Sequence, residues 1–139
     1  MAGNRTLAII KPDAFGAGKA GKIIAHLEGQ GFRVICARVL HMSKAEAGAF
    51  YEVHKARPFY GELVEFMSSG PCMPMVLEKD NAVLAYREAI GATDPAEAAA
   101  GTVRKLFAES KGRNAVHGSD SPTSADREIR YFFSAFDLF

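Results

Sequence analysis

The chain has 139 residues and a mass of 15.0 kDa, enough for one core and too short for a second domain with a linker. Seventeen Lys and Arg against 16 Asp and Glu leave a formal charge of +1, which excludes a generally basic coat for a polyanion; any anion site must be a local cluster. Hydrophobic residues at 48% exclude a disordered chain, and surface scaling gives about 7,000 Å² folded against about 22,000 Å² extended, so the fold needs no metal or disulfide staple.

The polar stretch Met1 to Arg5 leads into an apolar run, Thr6 to Ile10, which is too short for a signal core or a membrane span, and a cytoplasmic protein is expected. That run predicts a buried first strand. Lys11-Pro12-Asp13 stops it, since Pro12 biases Lys11 to extended geometry and Asp13 favours a turn. From Lys19 to Gly29, Ile23, Ile24 and Leu27 recur at helical spacing and Gly29-Gln30-Gly31 ends the helix. Phe32 to Leu40 alternates and predicts a second strand. Ser43 followed by Glu46 is a capping box that opens a helix through Lys55, and Tyr60 to Met67 predicts another, completing a helical hairpin.

Met73 to Leu77 predicts the third strand and Asn81 to Ile90 a further helix. Asp94-Pro95 reads as a cap with proline at the first helical position, and Ala96 to Ala100 as a short helical turn in a surface excursion. Ala115-Val116-His117 is a short strand, Gly118 to Ser124 a polar segment, and the last helix runs through Phe133 with Ile129, Phe132 and Phe133 inward. This order suits helices layered on an antiparallel or mixed sheet, an α+β fold in one domain over residues 1–139. Cys36 and Cys72 lack zinc-like spacing and read as buried free thiols.

Gly16 to Lys22 satisfies the glycine and lysine part of a phosphate-binding loop, but Ile23 stands where a Mg²⁺-binding hydroxyl belongs. A loop into a helix amino terminus is the better reading. Of four histidines, His26, His41 and His54 suit structural positions, whereas His117 sits between a strand and the Gly118-Ser119-Asp120-Ser121 turn, where reactive groups collect. By position alone His117 fits a capping histidine equally well. Glu128, eleven residues on, is a carboxylate that within reach of one ring nitrogen would fix the tautomer and leave the other nucleophilic. Phosphoryl chemistry also requires fixed cations, for which Lys11, Arg57, Arg87, Arg104 and Arg113 are candidates; Lys11 is unusual in directly following a buried strand.

Asn114-Ala115-Val116-His117-Gly118-Ser119-Asp120-Ser121 resembles the active-site signature of nucleoside diphosphate kinases. The resemblance extends through Thr6 to Ala14, His54 to Tyr60, Ser69-Gly70-Pro71 and Gly101-Thr102-Val103-Arg104, nearly the whole chain. It implies a ferredoxin-like sandwich with a four-stranded antiparallel sheet. It also implies ping-pong transfer, in which a nucleoside triphosphate phosphorylates His117 and the phosphohistidine passes its phosphoryl group to a nucleoside diphosphate. On that likeness Glu128 orients His117 with support from Ser119. Lys11, Tyr51 and Asn114 address the sugar and neighbouring phosphate region, Arg87, Thr93 and Arg104 the phosphates, and Phe59 stacks on the base.

Mg²⁺ would enter on the nucleotide phosphates with no direct protein ligand, Asp120 touching its hydration shell. The likeness implies a homotetramer, with a homohexamer as alternative. Stacking on Phe59 accepts any base, so broad specificity is expected. For Tyr51 a packing role beside Phe50 stays open. The competing readings are a nucleotide-binding module without turnover and a hydrolase using Ser119 or Ser121; the latter lacks a nucleophile elbow. A neutral chain without an aromatic and basic signature predicts no specific nucleic acid partner.

Overall fold

The structure is a computed structural model that describes residues 4–138; the polar start at Met1 to Gly3 lies outside the described residues. In chain order the elements are β1 (Arg5–Ile10), α1 (Pro12–Gly16), α2 (Ala20–Gly29), β2 (Arg33–Ala37), α3 (Lys44–Phe50), α4 (Tyr60–Met67) and β3 (Met73–Glu78). They continue with α5 (Ala82–Ile90), α6 (Val103–Phe107), β4 (Val116–Gly118) and α7 (Pro122–Phe132). The strands form one antiparallel sheet in the order β2-β3-β1-β4, the ferredoxin-like α+β arrangement expected.

β1 is central and covered on both faces, so its sequence is continuously apolar and not alternating. Ala8 and Ile10 point to a core with Ile23, Leu27, Tyr86, Ile90 and Val103 from α2, α5 and α6. Leu7 and Ile9 point to the other core, with Phe50, Met67, Ile129 and Phe132 from α3, α4 and α7. With helices on both faces, the carboxyl end of β1 lies beside β4, where Ile9 faces His117 and Ile10 faces Val116.

Several boundaries differ from the sequence expectations. Lys11-Pro12-Asp13 does more than stop a strand: Lys11 stays extended, but Pro12 opens the one-and-a-half-turn helix α1, because a first helical residue needs no N–H and Pro supplies a helical φ. The second strand ends at Ala37, after a register shift between Val34 and Cys36. Opposite it, Pro74 accepts from the Arg38 N–H at 3.1 Å but has no N–H to return, so the ladder thins, and only an isolated Leu40–Cys72 bridge follows. Cys36 is consequently only half-buried; Cys72 is buried as expected. The Ser43 helix has its capping box but ends at Phe50 and continues as a 3₁₀ turn over Glu52–His54.

Asp94-Pro95 opens no helix. The Asp94 carboxylate accepts from the Ala96 N–H at 2.9 Å, and the bonds from Glu97 to Asp94 and from Ala98 to Pro95 are i to i+3, giving consecutive turns. The excursion returns to its origin at Gly91, whose φ of +84° and absent side chain are both required: a Cβ there would lie 2.6 Å from Thr102 Oγ1. Thr102 in turn caps α6, which the sequence pattern left unassigned. In the polar segment after β4, Ser121 accepts from the Ser124 N–H and Pro122 takes the first helical position, so α7 starts earlier than its apolar stripe suggests.

Candidate active site

His117 lies on β4 opposite Ile9 of β1, with its side chain 14% exposed. The ring is wedged between Phe50, at a centroid distance of 5.4 Å, and Tyr51, at 5.9 Å. Nε2–H donates to Glu128 Oε1 at 2.7 Å, and the Ser119 hydroxyl donates to the same oxygen at 2.8 Å. Ser119 is itself buried beside β1, where its oxygen accepts from the Leu7 N–H at 3.4 Å. Since a carboxylate oxygen accepts from Nε2, that nitrogen carries the proton and Nδ1 presents its lone pair. Burial holds the His117 pKa below the ordinary histidine value; Glu128 opposes this, and the cations of Lys11 and Arg104 add to it. At neutral pH the ring is therefore uncharged and nucleophilic.

Glu128 occupies the middle of α7, with a carboxylate only 9% exposed and Arg127 at 3.8 Å from its other oxygen. The helix stripe explains its placement, since Ala125, Glu128, Ile129 and Phe132 share the buried face.

Lys11 leaves the end of β1 buried, and its Nζ donates to Asn114 Oδ1 at 2.9 Å. Burial, then Arg104, pull its pKa down to about 8, against the opposing charge of Asp13. Asn114 Nδ2 donates to the Thr93 carbonyl at 3.4 Å, tying the excursion after α5 to the approach of β4. Arg104 reaches the same point from α6. Its three donors meet carbonyls of Asn114 at 3.3 Å, Gly91 at 3.1 Å and Val116 at 2.8 Å, so the guanidinium fastens three segments while placing positive charge beside β4. Lys11 and Arg104 thus set two buried cations near the uncharged His117 ring.

The rim is more open. Arg87 on α5, Thr93 and Asp120 are exposed, and Arg87 acts electrostatically on both Arg104 and Asp120. A hydrogen bond from Ser124, with smaller contributions from Arg87 and His54, holds the Asp120 carboxyl below its usual range. Phe59 is 46% exposed on the helical hairpin, as a stacking surface requires. Tyr51 is buried against Phe50 at 4.8 Å and its hydroxyl has no partner among the described residues, so it packs and also lines the histidine. Arg113 instead meets Glu109 at 3.6 Å and the Phe66 ring, and Arg57 lies exposed on the hairpin.

Two residues have surroundings that local sequence does not show. His54 ends its helical turn as expected and stands between Tyr51 and Phe59, 5.6 Å from the latter ring. Asp13 begins α1 and is also buried and bonded to the Ala115 N–H. The near phosphate-loop at Gly16 to Ile23 is a loop into the start of α2, and its Lys19 donates to the Phe107 carbonyl at 3.0 Å.

An uncharged imidazole with one nitrogen proton-locked and the other bare, beside buried cations, is an arrangement chemically able to take up a phosphoryl group. The nucleoside diphosphate kinase family model matches residues 4–138. The enzyme of that name from Chlorobium chlorochromatii is 59% identical over 130 residues, covering 94% of this chain and 93% of its own. That from Chlorobaculum parvum is 60% identical over 131 residues, covering 94% of each chain. The crystal structure of the Aquifex aeolicus enzyme superposes with a TM-score of 0.95 at 45% identity, over 98% of this chain and 99% of that one. The chain belongs to the nucleoside diphosphate kinase family and is a phosphotransferase.

Proposed function

We propose that this protein moves the γ-phosphoryl group of a nucleoside triphosphate, chiefly ATP, to a nucleoside diphosphate through Nδ1 of His117. The observation that carries the assignment is the 2.7 Å bond from His117 Nε2 to Glu128, which leaves Nδ1 as the free nitrogen. In the first half-reaction the Nδ1 lone pair forms the N–P bond while the bond from phosphorus to the β–γ bridging oxygen breaks, and the diphosphate leaves. The second half-reaction reverses these steps with a different diphosphate. No proton need leave the ring, and the positive charge that grows on it faces Glu128.

Lys11, Arg87 and Arg104 supply the charge that stabilises the equatorial oxygens in transfer, with Thr93 as a hydroxyl donor. Lys11 and Asn114 already form one polar unit, suited to a sugar hydroxyl and its neighbouring phosphate. Mg²⁺ fits this site as a passenger of the nucleotide, since it keeps most of its water and needs few protein ligands. Asp120 is the exposed carboxylate held ionised at the rim and would meet that water shell. The ion would neutralise phosphate charge.

The test is exposure to γ-labelled ATP followed by peptide mapping. Acid-labile, base-stable label on the peptide holding His117 is expected; its absence would favour a binding module without turnover.

Two further outcomes follow from the site. The free enzyme's kcat/KM should be bell-shaped in pH. Its acid limb should fall below the ordinary histidine value, because the neutral ring persists as pH drops; its basic limb should lie near pH 8, where Lys11 loses its charge. A flat profile through pH 8 would remove Lys11 from the phosphate-binding role. Phe59→Ala should raise KM about 5- to 100-fold for purine and pyrimidine nucleotides alike, the worth of one lost base stack, with a smaller change in kcat. Steady-state kinetics with two bases check this, and a loss confined to one base would refute generic stacking.

On the family likeness we assign a homotetramer, with the homohexamer as the alternative. Mass in solution separates them. Among the described residues no helix is long and apolar enough to cross a membrane. We place the enzyme in the cytoplasm, on the balanced charge of the chain and its free thiols.

A further inference from the structure

Between the nucleotide-facing Asn114 and the nucleophile His117 the chain passes through Ala115, whose φ of +72° is left-handed. The only other described non-glycine residue with positive φ is Asn81, a type that tolerates this region through its own side chain; alanine has no such help. The Val116 N–H bonds to the Asn114 carbonyl at 2.8 Å, so Ala115 is the centre of a three-residue γ-turn of the rarer, strained hand. Both polar groups of Ala115 go to the segment after β1. Its N–H donates to Asp13 Oδ2 at 3.0 Å, and its carbonyl accepts from the Lys11 N–H at 2.8 Å.

Asp13 is only 5% exposed, and its Oδ1 has no hydrogen-bond partner among the described residues. A carboxylate kept merely to begin a turn would lie in water. This one is buried near the Lys11 charge with one hydrogen bond, and that bond goes to the left-handed Ala115.

We propose that Asp13 is a positioning residue: its carboxylate holds Ala115 in the left-handed turn and thereby sets the directions of Asn114 and His117 on either side. The two ends of the site then move together. Loss of the clamp lets the turn relax toward negative φ, displacing the nucleophile from the line of attack and Asn114 from Lys11. The inference rests on His117 being the phosphoryl acceptor and adds how its approach is fixed.

The experiment compares single-turnover phosphorylation by γ-labelled ATP in the unmodified protein, Asp13→Ala, Asp13→Asn, and Asp13→Ala combined with Ala115→Gly, at about pH 6.5, where Lys11 stays charged. Asp13→Ala should slow labelling roughly 10- to 100-fold, the scale of a misplaced nucleophile, while the final label per chain stays the same. A misfolded fraction would lower that final label instead. Asp13→Asn, which still offers an oxygen to the Ala115 N–H, should remain within about threefold. Adding Ala115→Gly should recover most of the lost rate, because glycine takes positive φ without strain.

An unchanged rate in Asp13→Ala, no recovery with glycine, or an Asp13→Asn variant as slow as Asp13→Ala would overturn the proposal. Should Asp13→Ala not fold, a slow Asp13→Asn variant, or an Ala115 amide in the unmodified protein that exchanges as fast as an open loop, overturns it as well. Label on a residue other than His117 in the unmodified protein would defeat the function reading first, and this inference with it.

Discussion

His117→Ala is expected to abolish base-stable labelling by γ-labelled ATP and to lower exchange between ATP and a second nucleoside diphosphate by about 10⁴-fold or more, the scale seen when a covalent nucleophile is removed. His117 offers a bare ring nitrogen beside the buried cations, and the nearby Ser119 and Cys72 are poor substitutes. Ser119 points its hydroxyl at Glu128 and its oxygen at β1, so it is occupied on both sides. Cys72 lies buried with its thiol pushed up to about 11 by desolvation, which keeps it protonated and inert. Binding should survive, because Phe59 and the cations are untouched; a nucleotide titration of the variant checks that. Exchange retained at the wild-type rate would mean a different acceptor.

Glu128→Ala should cost about 100-fold or more in kcat with a smaller effect on KM. Two losses combine. Without the carboxylate the proton is free to sit on either ring nitrogen, and the tautomer with Nδ1 protonated cannot attack. The positive charge that develops on the ring as the N–P bond forms also loses its counter-ion in a buried place, where the electrostatic contribution is largest. The pH profile separates this from simple unfolding: Glu128 raises the His117 pKa, so its removal should move the acid limb to lower pH. An unmoved limb, or activity within about threefold of wild type, would remove Glu128 from the orienting role.

Much of the site was legible because its residues stand in one short run. Asn114, His117, Ser119 and Asp120 follow each other through a strand end and a turn, and the Gly-Ser-Asp composition after the strand announces a polar loop beside an apolar one. Glu128 was also reachable, since helical periodicity sets it on the same face as Ile129 and Phe132. The burial of Asp13 was not. A carboxylate after a proline has a strong local meaning as a turn former, and nothing local shows that its partner lies 102 positions away. His54 ends a helical turn as its position suggests, but its ring neighbour is not local knowledge: only the hairpin's return brings Phe59 beside it. The helix expected at Asp94-Pro95 failed because propensity and capping signals describe isolated segments. Closure of the excursion on Gly91 and Thr102 fixed its path instead.

By itself the chain's order of apolar runs and breakers determined the strands, the longer helices and the α+β class, since period and punctuation are local properties set by backbone geometry. Its composition determined that any anion site would be a cluster on a neutral surface. The tertiary structure alone decided which nitrogen of His117 is free, that Lys11 is buried beside Asn114, and that Arg104 braces three carbonyls before it can serve a phosphate. Those facts depend on distances between residues remote in sequence. Burial and opposing charge shift a titration only once the sheet has brought the groups together.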